Sequence, residues 1–149
     1  MKLNQAGFET LFRSGLIVFI DGECHLCHGL VQFILRHEAE PRAHFAAIQD
    51  FLPELSRLFP ALAPELQSLQ YVLVVDQGKP LVRSEAVLRI ARSFRAPWSV
   101  LARLGLVVPA PLRDLIYVWI ARNRYAWFGK KDQCAWNPAV SRERIIERL

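Results

Sequence analysis

Two cysteines three positions apart, Cys24 and Cys27, stand between a short apolar run, Gly15 to Ile20, and a helical pattern that begins at Leu26. Sulfurs with that spacing at a strand-to-helix turn can close and open a small disulfide without moving the rest of the chain, so the chemistry suggested is thiol–disulfide exchange. The thiolate is the reactive form of cysteine. The unpaired N–H groups and positive dipole end of a helix N-terminus lower a thiol pKa from roughly 8.5 into the range of about 3.5 to 7.5. That argument makes Cys24 the nucleophile and Cys27, near one helical turn on, the thiol that resolves a mixed disulfide. His25 and Leu26 tune the pair, and a protonated His25 favours the thiolate further. The competing reading, two small residues filling space beside a sheet, is the weaker one given spacing and placement together.

Other residues could join this chemistry. Asp21, three before Cys24, reads either as a turn or N-cap residue or as a proton acceptor near the thiols. In the second role its negative charge opposes thiolate formation and works against the helix dipole. Cys24, Cys27, His28 and Cys134 could offer three sulfurs and a nitrogen to a metal. A structural zinc site normally brings a second closely spaced ligand pair, and none follows here, so neither a metal nor another cofactor is expected. His28, His37 and His44 read more simply as surface or packed histidines. The Arg122-Asn123-Arg124-Tyr125 block has two even readings. One is the polar end of a helix whose Leu115, Ile116, Trp119 and Ile120 pack on the core, and the other is an anion or partner site beside the redox pair. Arg113 and Asp114 read as a structural ion pair or a first-turn cap.

The elements that must position these residues follow from patterning. Leu16 to Ile20 is apolar throughout and reads as a buried strand, and Leu26 to Glu38 as a helix packed on a sheet, with little of its surface wet. His44 to Ile48 is a second strand. Asp50, Pro53, Leu55, Leu58 and Phe59 suggest a capped helical turn interrupted by Pro60 and Pro64. Tyr71 to Val75 and Leu81 to Val82, joined by Asp76-Gln77-Gly78-Lys79, read as a β-hairpin. Ser84 reads as the cap of a helix through Phe94. Trp98 to Leu104 and Leu112 to Tyr125 are expected as additional helices and Ser141 to Leu149 as a final short one. The fold class expected is α/β. A thioredoxin-like core, βαβ and then ββα, carries a C-terminal helical extension from about residue 97 within one domain spanning residues 1–149.

The 149 residues are 52% hydrophobic, enough for one sizeable core. Three cysteines are odd in number and too few for a secreted disulfide scaffold, and no stretch has the form of a secretory signal, so a reducing cytoplasm is the expected setting. The longest apolar runs, such as Leu16 to Ile20 and Leu104 to Val108, fall far below the roughly 18 residues of a membrane span, and a soluble protein is expected. Charge is split: residues 1–75 carry five Lys/Arg against eight Asp/Glu, and residues 76–149 carry fourteen against six. The basic half reads as a solvated face ahead of an anionic-surface contact. Tyr125, Trp127, Lys130 and Lys131 interleave aromatic and basic residues, but the tract is short and matches no nucleic-acid module.

Asp21-Gly22-Glu23-Cys24-His25-Leu26-Cys27, with Val31-Gln32-Phe33-Ile34-Leu35 after it, resembles the signature of the DCC family, thiol-disulfide oxidoreductases named for an Asp-Cys-Cys motif. Ser84-Glu85-Ala86-Val87-Leu88 is similar to the family's second block, and Pro111-Leu112-Arg113-Asp114 with Tyr117 to its third. Arg122 to Tyr125, Phe128-Gly129-Lys130 and Cys134 are similar to its last. The resemblance covers about Leu16 to Cys134. It implies a thioredoxin-like fold and dithiol activity, and it draws Asp21 toward the redox site. The partner expected is a protein or small-molecule thiol or disulfide. Two departures stand out: no proline immediately precedes the expected third strand at Tyr71, and Glu23 replaces the aromatic residue common before the first cysteine of thioredoxins. The alternative is a redox-inactive thioredoxin-like binding or scaffold protein with a basic C-terminal partner surface.

Overall fold

A computed structural model describes residues 2–21, 25–39, 43–68, 72–128 and 144–148. The elements run β1 (Lys2–Leu3), α1 (Gln5–Ser14), β2 (Leu16–Ile20), α2 (His25–His37), β3 (Ala43–Ala47) and α3 (Ile48–Leu58). A 3-10 turn (Pro60–Leu62) then leads to α4 (Ala63–Ser68), β4 (Leu73–Asp76), β5 (Lys79–Val82), α5 (Arg83–Arg92), α6 (Trp98–Gly105), α7 (Ala110–Phe128) and β6 (Glu147–Arg148).

Four strands form the central sheet in the order β3-β2-β4-β5. β2 pairs in parallel with β3, Leu16 opposite Ala43 and Ile20 opposite Ala47, and antiparallel with β4. β4 and β5 form the expected hairpin. Its two-residue turn, Gln77-Gly78, has φ of 51° and 82°, the left-handed geometry that matches strand twist and that glycine adopts without strain. One parallel crossover followed by an antiparallel hairpin is the thioredoxin-like arrangement, and the fold is mixed α/β of that kind.

β2 is buried on both faces because its side chains alternate between two cores. Leu16, Val18 and Ile20 pack with Val31 and Ile34 of α2 and Ala86 and Ile90 of α5. Ile17 and Phe19 pack with Phe8 and Phe12 of α1, Phe51 and Leu55 of α3 and Leu66 of α4. α6 and α7 lie outside the first of these helix layers, α6 against α5 and α7 against α5 and α2.

Several expectations need correction. α1 has no counterpart in the pattern reading, although Asn4 caps it by accepting from the Gly7 N–H at 2.8 Å and Phe8 and Phe12 bury its inner side. The proline-rich stretch holds a full helix, α3, with Pro53 inside it and Asp50 in its first turn. Val82, not Ser84, is the residue before α5, and it supplies no side-chain cap. In place of a final helix, Ile145 bridges Phe45 and β6 pairs in parallel with β1. Within residues 144–148 the apolar pair Ile145-Ile146 is buried by extending the edge of the sheet. The largest correction concerns α7: Leu115, Ile116, Trp119 and Ile120 do not pack on the core but are exposed.

Candidate functional site

The site begins where β2 ends. Asp21 follows Ile20 directly, is 1% exposed, and is the last described residue before α2 opens at His25. Parallel pairing sets the C-terminal ends of β2 and β3 side by side, which brings the start of α3 next to Asp21. Gln49 there donates from Nε2 to Asp21 Oδ1 at 2.7 Å. From the far end of the chain, Arg124 on α7 donates from Nη2 to Asp21 Oδ2 at 3.3 Å and from Nη1 to the Ala121 carbonyl at 3.1 Å. Arg124 is itself only 4% exposed. A buried carboxylate is costly unless paired and hydrogen-bonded, and here it has both a cation and an amide donor. Neither residue caps a helix in these contacts.

Of the residues singled out from the sequence, the structure joins Asp21 to Arg124 and leaves Arg122 exposed on another side of α7. Cys24 and Cys134 fall outside the described residues. His25 and Cys27 are the first and third residues of α2, described by their backbone only. Gln49 was not picked out by sequence reasoning. Its one signal is the βαβ register, which sets the residues after β3 beside those after β2.

A second cluster docks α7 onto the core. The Ser84 hydroxyl donates to Asp114 Oδ1, and the Ser84 N–H approaches the same oxygen at 3.4 Å. Asp114 thus serves the first turn of α5 from outside that helix, a structural role. One turn along α7, the Tyr117 hydroxyl accepts the Val72 N–H at 2.8 Å, immediately before β4. Arg113 Nε donates to the Val108 carbonyl at 3.0 Å, closing the turn into α7. Asp114, Tyr117 and Arg124 thus fasten α7 by three separate polar contacts, to Ser84, Val72 and Asp21, segments far apart in sequence.

A parallel βα unit with a buried, paired carboxylate at its strand end, inside a thioredoxin-like sheet, defines the broad class as thioredoxin-like α/β proteins. Residues 18–130 match the family described as DCC1-like thiol-disulfide oxidoreductase, and the chain belongs to that family. It is 36% identical over 118 residues to the uncharacterized protein YuxK of Bacillus subtilis (strain 168), covering 79% of this chain and 84% of that protein. It is 34% identical over 118 residues to the chloroplastic DCC family protein At1g52590 of Arabidopsis thaliana, covering 79% of this chain and 67% of that protein. No solved structure gives a significant match.

Proposed function

We propose that the chain is a dithiol–disulfide oxidoreductase using Cys24 and Cys27, with Asp21 as the carboxylate of the site and Arg124 as the group that balances its charge. The observation that carries this reading is the buried Asp21–Arg124 pair, three residues before Cys24 and tied to the opposite end of the chain. Family membership supports the reaction type. α2 begins one residue after Cys24, which supports a helix-dipole-assisted thiolate.

In the reductive direction the Cys24 thiolate attacks one sulfur of a substrate disulfide. The S–S bond breaks, a mixed disulfide forms, and the first substrate thiolate leaves and takes up a proton. Cys27, deprotonated, then attacks the Cys24 sulfur. The second substrate thiolate leaves, and the two electrons lost by the cysteine pair have passed to the substrate. The reverse sequence oxidises a substrate dithiol. Arg124 cancels the Asp21 negative charge that would otherwise disfavour the Cys24 thiolate, and the Cys27 proton passes to the departing substrate thiolate. His25 borders the pair, where it would meet substrate, whereas Arg122 faces away from Asp21 on another side of α7. The substrate is a protein or small-molecule thiol or disulfide, and three cysteines in the chain suit a reducing, cytoplasmic setting.

The test is the alkylation rate of each cysteine against pH, joined to a titration of the pair with a dithiol redox buffer. Cys24 is expected to react first, with a thiolate titrating below the free-cysteine value of roughly 8.5, and the pair to show a single two-electron midpoint. A chain with no defined midpoint would be a binding protein on the same fold.

A further inference from the structure

α7 is mounted with its apolar side outward. At 3.6 residues per turn, Leu112, Leu115, Ile116, Trp119 and Ile120 share one side of the helix. All are exposed, Leu115 at 69% and Trp119 at 60%. The opposite side carries Asp114, Tyr117 and Arg124, which hold Ser84, Val72 and Asp21. α6 repeats the arrangement, with Val100, Leu101 and Leu104 exposed and Ala102 buried. The connection between them, Leu106-Val107-Val108-Pro109, has no polar side chain, and Val107 at its tip is 81% exposed. Loop tips turned to water are normally polar, and a continuous exposed apolar surface marks an interaction site.

Charge identifies the occupant. From Arg92 to Phe128 there are six arginines, of which Arg124 is buried against Asp21, and one carboxylate, Asp114, which is engaged by Ser84. By helical position Arg103 borders the α6 stripe, while Arg113 lies beside Ile120 and Arg122 beside Leu115, one at each edge of the α7 stripe. Arg103 and Arg122 are exposed, as are Trp98, Trp119 and Trp127. A second copy placed face to face on this surface would set arginine against arginine with no carboxylate to pair them. An anionic lipid surface answers both features: acyl chains take the apolar stripe and tip, tryptophans sit at the headgroup level, and arginines snorkel to phosphates. Among the described residues no single helix is long and apolar enough to cross a membrane. α6 and α7 reach that composition only together, as a pair bent by 117°. Such a bend suits a surface that dips into one leaflet and returns.

We propose that the α6–α7 surface is a docking face for an anionic lipid bilayer, with Leu106 and Val107 inserted deepest. Binding uses neither Cys24 nor Cys27, so it stands or falls apart from the redox reading. The experiment is flotation of the full chain with vesicles of phosphatidylcholine alone and of phosphatidylcholine mixed with phosphatidylglycerol. Selective binding to the anionic vesicles is expected, with tryptophan fluorescence quenched by bromine-labelled acyl chains. Arg103→Gln or Arg122→Gln should each weaken partition about fivefold, the contribution of one basic residue at such a surface. Val107→Asp or Leu115→Asp should weaken it by about tenfold or more, the loss of one buried aliphatic side chain, with the melting temperature unchanged because both sites are exposed. Absence of flotation with either vesicle would overturn the proposal. So would equal binding to both vesicle types, or anionic binding indifferent to Val107→Asp and Leu115→Asp together. Self-association lost on Leu115→Asp without flotation would assign the face to a second copy instead.

Discussion

At Asp21 the physical question is what a carboxylate gains by leaving water three residues before a thiol. Its contacts to Gln49 and Arg124 come from α3 and α7, elements outside its own strand-to-helix turn. The nearness of Asp21 to the cysteines is plain in the sequence, because both lie at one strand-to-helix turn. Its partner is not, because Arg124 is 103 residues away and only the docking of α7 brings it in. Arg122, equal to it on paper, sits two positions off and so faces elsewhere on a 3.6-residue helix. Arg124→Gln should therefore do two things. It leaves a buried carboxylate without its cation, costing about 3–5 kcal/mol in urea unfolding. It also leaves an uncompensated negative charge near the pair, so the Cys24 thiol should titrate higher and alkylate more slowly at neutral pH. Asp21→Asn should move the thiol the opposite way, since the remaining cation favours the thiolate. The double variant should recover stability relative to Arg124→Gln. A thiol titration identical in all three proteins would leave the pair a purely structural tie.

Among elements, α7 shows where helical periodicity stops informing. The spacing of Leu112, Leu115, Ile116, Trp119 and Ile120 correctly marks a helix with an apolar side, but periodicity fixes only that the side exists, not which way it faces. The orientation is set by the other side, where Asp114, Tyr117, Ala121 and Arg124 recur at intervals of three and four and meet groups on α5, before β4 and after β2. β2, α2 and the β4–β5 hairpin were legible because each carries its own strong local signal: an all-apolar run, a helical repeat and a Gln-Gly turn. β6 was not, since it is defined by a partner distant in sequence, whereas α1 does carry a local signal, the Asn4 cap ahead of Phe8 and Phe12, that has no counterpart in the pattern reading. Two substitutions separate the orientations. Leu115→Ser should change stability by no more than about 0.5 kcal/mol, the range of an ordinary surface site, whereas a core-facing leucine cut back this far would cost about 2–5 kcal/mol. Tyr117→Phe should cost about 1–3 kcal/mol, because the buried Val72 N–H loses its acceptor. Denaturant midpoints of the two variants, measured side by side, decide the matter.

Across the whole molecule, both ends of the chain are used to close what the central sheet leaves open. β3 is an edge strand, and unpaired edges invite association. Ile145 bridges Phe45, and the Ile146 N–H donates to the Phe45 carbonyl at 2.8 Å, so the C-terminal segment covers that edge. Arg144 fastens it. Its Nη2 reaches Glu38 Oε2 at 2.8 Å, its Nη1 bonds the other carboxylate oxygen, and Nε and Nη2 both donate to the Ala43 carbonyl. Glu38 is buried at the end of α2, so one arginine ties the closing segment to the element that carries Cys27. Arg144→Ala strands the Glu38 carboxylate and removes two donors from Ala43, and a loss of about 3 kcal/mol is expected. Glu38→Gln should cost less, because the arginine keeps its bonds to Ala43 and the amide oxygen still accepts from it. If Arg144 is the fastener, hydrogen exchange in Arg144→Ala should accelerate at Ile146 at a denaturant concentration that leaves the Val18 amide in the centre of the sheet protected. Unchanged protection at Ile146 together with unchanged stability would mean that burial of Ile145 and Ile146 alone closes the edge.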